Sequence, residues 1–156
     1  MALRLKTRSQ DDTFALGRAL GACLRPGDTL LLSGDLGTGK SVLARGAARA
    51  LGVESPMPSP SFTIMFPYEG RVPVYHFDLY RLSGPDEFEA AGLDEWFGGA
   101  GVCLVEWPET VDLAAHPCVR LTLRRAEEDE ARDVEMETDG VPLNEAVFAP
   151  WRAEKA

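Results

Sequence analysis

The sequence predicts an α/β fold organised around a phosphate-binding loop, and three observations predict it. Gly34-Asp35-Leu36-Gly37-Thr38-Gly39-Lys40-Ser41 fits G-x-x-x-x-G-K-[ST] and lies between an apolar run and a helical pattern. Thr29 to Ser33 and Gly101 to Val105 are short continuous apolar runs, as expected of strands covered on both faces. Val119 to Arg124 and Val134 to Thr138 alternate apolar with polar residues around an acidic tip, which reads as an antiparallel hairpin.

The 156 residues, 45% hydrophobic and 26% charged, are what one globular domain needs for a proper core, so 1–156 reads as a single domain. No stretch has the apolar length of a membrane span. Met1 to Lys6 lacks the apolar core of a signal peptide. Cys23, Cys103 and Cys118 are odd in number and form no C-x-x-C pair. They read as small buried hydrophobes in a reducing cytoplasm, not as a disulfide framework or zinc site. A net charge of −9 argues against broad, independent binding to a nucleic-acid backbone.

Ala2 to Arg8 alternates, consistent with a half-exposed strand. Ser9 followed by Asp12 resembles a capping box, opening a helix through Phe14, Leu16, Leu20 and Leu24 that Pro26-Gly27 stops. After the first buried strand and the loop, Val42, Leu43, Ala47, Ala50 and Leu51 recur at helical spacing, and Gly52 suits the helix end. Pro56, Pro58 and Pro60 mark a connecting segment that continues as Ser59-Pro60-Ser61-Phe62-Thr63 into Ile64-Met65-Phe66. Its hydroxyls read either as nucleotide contacts or as part of a plain loop. A turn at Glu69-Gly70 leads into a strand over Val72 to Leu82. Alternation places Val74, His76, Asp78 and Tyr80 on one of its faces. Pro85-Asp86-Glu87 starts a helix, with a second short helix after Gly92. The second buried run ends in Glu106-Trp107-Pro108-Glu109, and the hairpin follows. A short helix near Pro142, interrupted at Pro150, completes the chain.

The chemistry follows from residue types and places. Glycines let the loop turn tightly and bring N–H groups of Asp35, Leu36, Gly37, Thr38, Gly39, Lys40, Ser41 and Val42 toward phosphate oxygens at a helix N-terminus. Lys40 carries a compact charge for the β- and γ-phosphates of a nucleotide. The Ser41 hydroxyl suits Mg²⁺. Only three of the 16 basic side chains are lysines, Lys6, Lys40 and Lys155, so lysine stands here where a slim ammonium is needed. In open α/β sheets the site lies beyond the carboxyl ends of the strands. Asp78 and Glu106 both stand at such ends. His76 shares a strand face with Asp78, and alone it reads as structural.

Together these segments resemble the bacterial tRNA threonylcarbamoyladenosine biosynthesis ATPase family, TsaE, also called YjeE. The resemblance rests on Gly34 to Ser41, Ser59-Pro60-Ser61-Phe62, His76-Phe77-Asp78-Leu79-Tyr80-Arg81 and Glu106-Trp107-Pro108-Glu109, in order, over roughly residues 5 to 145. The family usually has threonine where Ser41 and Ser61 stand, so the hydroxyls are kept. The resemblance implies a P-loop NTPase-like three-layer fold, with a mixed, mostly parallel sheet flanked by helices. It implies ATP and Mg²⁺ binding and slow hydrolysis that depends on the partners TsaB and TsaD, which modify adenosine 37 of certain tRNAs. The tRNA would be met only indirectly, through that complex. Ser41 and Glu106 would hold Mg²⁺, Asp78 would orient or deprotonate water, and Ser61 would sense the γ-phosphate. Trp107 would brace Glu106, and the helix start from Ser9 to Thr13 would lie near the adenine. Two other readings stay open: a P-loop small-molecule or nucleotide kinase using Arg120, Arg124 and Arg125 as lid arginines, and a nucleotide-gated binding module without hydrolysis.

Overall fold

The computed structural model of the chain describes residues 2–57, 64–82, 84–110 and 117–153. Seven strands form one sheet in the order β1-β7-β6-β2-β5-β4-β3. They are β1 (Ala2–Thr7), β2 (Thr29–Ser33), β3 (Met65–Glu69), β4 (Pro73–Asp78), β5 (Val102–Glu106), β6 (Cys118–Arg125) and β7 (Arg132–Asp139). The helices are α1 (Gln10–Gly21), α2 (Lys40–Ala50) and α3 (Pro85–Ala90). The sheet is mixed. Strands β6, β2, β5 and β4 run parallel at its centre, β7 and β1 extend it antiparallel on one side, and β3 does so on the other.

The two apolar runs become the two innermost strands. Leu30, Leu31 and Leu32 of β2 and all five residues of β5 are buried, because helices cover both faces. One face carries Leu30, Leu32, Val74, Val102 and Leu104 against α1 and α2. The other carries Leu31, Phe77, Leu79, Cys103 and Val105 against Phe88, Leu93 and Phe97 of the α3 region. Three layers result, as the sequence predicts.

Helices α1 and α2 pack backbone to backbone. A methyl at Gly17 would overlap the Leu43 carbonyl, and one at Gly46 would overlap that of Phe14. Ser9 caps α1, its Oγ accepting from Asp12 N at 3.0 Å. The reciprocal bond goes one residue further back than the predicted box, from Arg8 N to Asp12 Oδ2 at 2.9 Å. Helix α1 ends at Gly21, not Leu24, in tight turns from Cys23 N to Leu20 O and Leu24 N to Gly21 O. Gly52, with φ +93°, takes the left-handed position after α2.

Strand β4 is shorter than the predicted Val72–Leu82, because the chain turns away after Asp78. Tyr80 therefore leaves the strand and stands exposed. Strand β3, read in the sequence only as an apolar run, pairs with β4 across the Gly70 turn. It tolerates Pro67 as an edge strand. The C-terminal segment forms a 3-10 helix over Glu145–Trp151, and Pro150 lies inside it. Cys103 and Cys118 are buried and Cys23 is partly exposed, with no disulfide among them. Burial pushes the Cys103 thiol up to about 12.

Candidate active site

The parallel registers decide the site. Glu106 on β5 lies beside Leu32 on β2 and beside Asp78 on β4. Three neighbouring strands therefore end together, one feeding the glycine-rich loop and two ending in carboxylates. Side-chain alternation puts Glu106 and Asp78 on the face that α2 covers, so both carboxylates point toward the start of that helix.

The loop itself is built from local conformation. Gly34, Gly37 and Gly39 have φ of +148°, +77° and +101°. A Cβ on Gly34 would lie 2.6 Å from the Leu123 carbonyl oxygen, so any side chain there would push the loop off β6. Thr38 closes the inner turn, its Oγ1 donating to Asp35 O at 2.8 Å. Gly39 is the N-cap of α2 and supplies no side-chain cap. The first-turn N–H groups of a helix have no acceptor within it, so this end is a ready seat for an anion.

Lys40 is buried beneath the loop. Its Nζ donates to the carbonyls of Gly34 and Asp35. Burial lowers the Lys40 pKa, while Glu106, Glu109, Asp78 and Asp35 oppose that shift. Ser41 Oγ lies 3.0 and 3.1 Å from the two Glu106 oxygens and donates to that carboxylate. His76 Nε2 sits 2.6 Å from Glu106 Oε2. Strand alternation brings His76 to Glu106 diagonally, since its direct partner on β5 is Leu104. Nδ1 of His76 is buried without a hydrogen-bond partner among the described residues. The proton therefore belongs on Nε2, donating to Glu106, because an unpaired N–H is a worse orphan than an unpaired lone pair. Asp78 Oδ1 accepts from Tyr80 N at 3.1 Å. Burial raises the Asp78 pKa, helped by Glu106 and opposed by the Tyr80 N–H and Lys40.

Trp107 has φ +59°, the sole positive value at a non-glycine residue among those described. Side chains pay for this conformation, and such outliers gather at functional sites. Here it turns the indole back over Lys40, with Nζ 3.6 Å from the ring centroid. Tyr80 packs on the same ring at 4.8 Å between centroids. The cleft between these groups has a volume of about 380 Å³ and is lined by loop residues Leu36 to Val42, by Asp78, Glu106 and Trp107, and by Gln10, Thr13, Glu130 and Arg132.

Most of the predicted site thus converges. Leu36, Gly37, Thr38, Gly39, Lys40, Ser41, Val42, Asp78 and Glu106 share one cleft. Asp35 lies on the other side of the loop, toward Glu109 and Arg125. Ser61 lies outside the described residues. The predicted brace for Glu106 differs: His76 and Ser41 hold its carboxylate, while Trp107 lies on Lys40. Sequence reasoning did not assign His76 this role, although its alternation with Asp78 was the signal available. It also left open the use of the hairpin arginines. Arg125 donates to Leu36 O, Arg132 donates to Gly37 O and Thr38 O, and Arg124 pairs with Glu135.

The donor set fits Mg²⁺ with a nucleotide. A hard cation of this size takes one or two protein oxygens and completes its shell with phosphates and water. Ser41 Oγ and Glu106 supply such oxygens. Among the described residues no three His, Cys, Asp or Glu side chains form a cage of their own. No helix among the described residues is long and apolar enough to cross a membrane.

Comparisons with known proteins show the family and the fold. Residues 7–134 match the family model of the threonylcarbamoyl adenosine biosynthesis protein TsaE. The tRNA threonylcarbamoyladenosine biosynthesis protein TsaE of Bacillus subtilis is 41% identical over 130 residues, covering 82% of this chain and 81% of the relative. Its counterpart in Treponema pallidum is 38% identical over 109 residues, covering 70% and 81%. The crystal structure of Bacillus subtilis YdiB superposes with a TM-score of 0.70 at 35% identity, covering 87% of this chain and 84% of that one. The chain belongs to the TsaE family of threonylcarbamoyl adenosine biosynthesis proteins.

Proposed function

We propose that this chain is a Mg²⁺-dependent ATP hydrolase that serves threonylcarbamoyl modification of tRNA adenosine 37 in the cytoplasm, working with TsaB and TsaD. One observation carries the reading: the Ser41 hydroxyl, at the start of the loop helix, donates to a buried carboxylate at the tip of the neighbouring parallel strand. That pairing is what a nucleotide-bound magnesium needs from a protein. When bound, Mg²⁺ would neutralise charge developing across the β- and γ-phosphates.

The chain's own residues have the following parts. Main-chain N–H groups of Gly37 and of Gly39 to Val42, which line the cleft, bind the phosphates. Lys40 stays charged beside them. Binding would draw its ammonium away from the Gly34 and Asp35 carbonyls toward phosphate oxygens. Ser41 and Glu106 hold the metal, with His76 fixing the Glu106 carboxylate by donating to Oε2. Asp78, made more basic by burial, orients the attacking water or takes its proton. Ser61 is assigned the γ-phosphate by the family resemblance. Gln10 and Thr13, at the start of α1, line the same cleft and are the candidates for the nucleoside end. The net charge of −9 supports contact with tRNA through the partners only.

The kinase alternative needs mobile arginines over the phosphates. Arg124 is paired with Glu135 and Arg125 is bonded to the loop, which favours hydrolysis over transfer. The test is phosphate release by the purified chain from labelled ATP, alone and with TsaB and TsaD. Slow release alone and strong stimulation by the pair is the expected result. Label on an acceptor would make it a kinase. ATP-dependent association with no hydrolysis would make it a binding module.

A further inference from the structure

The hairpin of β6 and β7 holds the phosphate loop by its carbonyls, from beside the cleft that Arg132 also lines. Arg132 donates from Nε to Thr38 O at 2.9 Å and from Nη2 to Gly37 O at 3.2 Å. Its Nη1 donates to Asp129 O at 2.9 Å and Ala131 O at 2.8 Å, in the turn of the hairpin. Arg125 donates from Nη2 to Leu36 O at 2.7 Å. Three successive loop carbonyls are thus held by guanidinium groups of one hairpin.

A trans peptide unit is planar, with its N–H directed opposite its C=O. Holding the carbonyls of Leu36, Gly37 and Thr38 toward the hairpin therefore directs the N–H groups of Gly37, Thr38 and Gly39 away from it. The Thr38 N–H is taken by Asp35 O at 3.3 Å. Those of Gly37 and Gly39 are left for the cleft. The same bonds turn the negative ends of these peptide dipoles away from an arriving anion.

We propose that Arg132, supported by Arg125, is a positioning residue that sets the phosphate loop in its binding shape before nucleotide arrives. It is not a finger on the phosphates. A guanidinium has five N–H donors in one plane, and the four bonds to Thr38, Gly37, Asp129 and Ala131 occupy most of them. Lysine cannot replace it, because one ammonium cannot reach loop and hairpin turn together. Without the rivet, the loop must be ordered by the ligand, and affinity falls by that cost. The inference rests on the reading of this loop as the seat of a nucleotide's phosphates.

The test is Arg132→Lys, which keeps the charge, measured without partner proteins. Isothermal titration with ATP and with ADP gives affinities, and amide resonances of Gly37 and Gly39 in the nucleotide-free protein report loop shape. The expected result is loss of about tenfold in affinity for both nucleotides, with both amides shifted before any nucleotide is added. Wild-type affinity in Arg132→Lys would overturn the proposal, since charge alone would then suffice. Loss for ATP with ADP spared would also overturn it, pointing to a contact on the γ-phosphate. If Arg132→Lys does not fold, Arg125→Lys decides, on an exposed side chain with one bond to the loop. A loss of about threefold for both nucleotides is expected there, and none would overturn the proposal. Wild-type protein that binds neither ATP nor ADP would sink the ATPase reading itself, a result distinct from failure of the clamp alone.

Discussion

Replacing Glu106 by alanine separates its structural load from its chemical one. The side chain is buried and accepts from both Ser41 and His76. Truncation leaves His76 Nε2 without its acceptor, beside an Nδ1 that already lacks a partner among the described residues. A buried donor stripped of a charged partner costs about 2–3 kcal/mol. For a chain of this size that lowers the melting temperature by about 5–10 °C. Glu106→Gln keeps an oxygen for His76 and a polar group for Ser41, so its melting temperature stays within about 3 °C of wild type. Both variants lose the carboxylate charge, so both hydrolyse ATP about 10²–10³-fold more slowly with TsaB and TsaD present, while nucleotide affinity measured in EDTA changes little. Thermal melts and phosphate release on the same preparations check this. Full turnover in Glu106→Gln would refute the metal role. An unchanged melt in Glu106→Ala would refute the buried His76–Glu106–Ser41 arrangement.

Lys40→Ala removes the ammonium beneath the loop and should abolish hydrolysis and weaken ATP binding; wild-type turnover would discard the loop assignment. Asp78→Asn should lose hydrolysis yet melt higher than wild type at neutral pH. Burial holds the Asp78 carboxyl above its ordinary range, so the native state binds its proton more tightly than the unfolded chain. Wild-type stability from this group therefore falls as pH rises from the ordinary value through the raised one, and the advantage of Asn closes on acidification; melts across pH 4 to 8, about the range that brackets it, test the sign. Gly46→Ala should destabilise by about 1–3 kcal/mol in urea unfolding, since the new methyl overlaps the Phe14 carbonyl on α1. A neutral result would mean that the two helices are not in backbone contact.

Much of this molecule could be read from local pattern. Continuous apolar runs marked β2 and β5 because a strand buried on both faces has no polar side to show. The glycine spacing marked the loop because only glycine takes its positive φ angles at no steric cost. Parity along β4 put His76 and Asp78 on one side because strand geometry has a period of two. What lay beyond local pattern was register. That Glu106 stands beside both Leu32 and Asp78, and diagonal to His76, depends on how strands distant in sequence slide against one another, and packing of the whole sheet sets that. The backward turn of Trp107 onto Lys40 and the reach of Arg132 to the loop, across 94 positions of chain, belong to the same class. Residue types and spacings announced which chemistry was available. Only the folded sheet determined which groups touch, because contact between remote segments is a property of their shared packing.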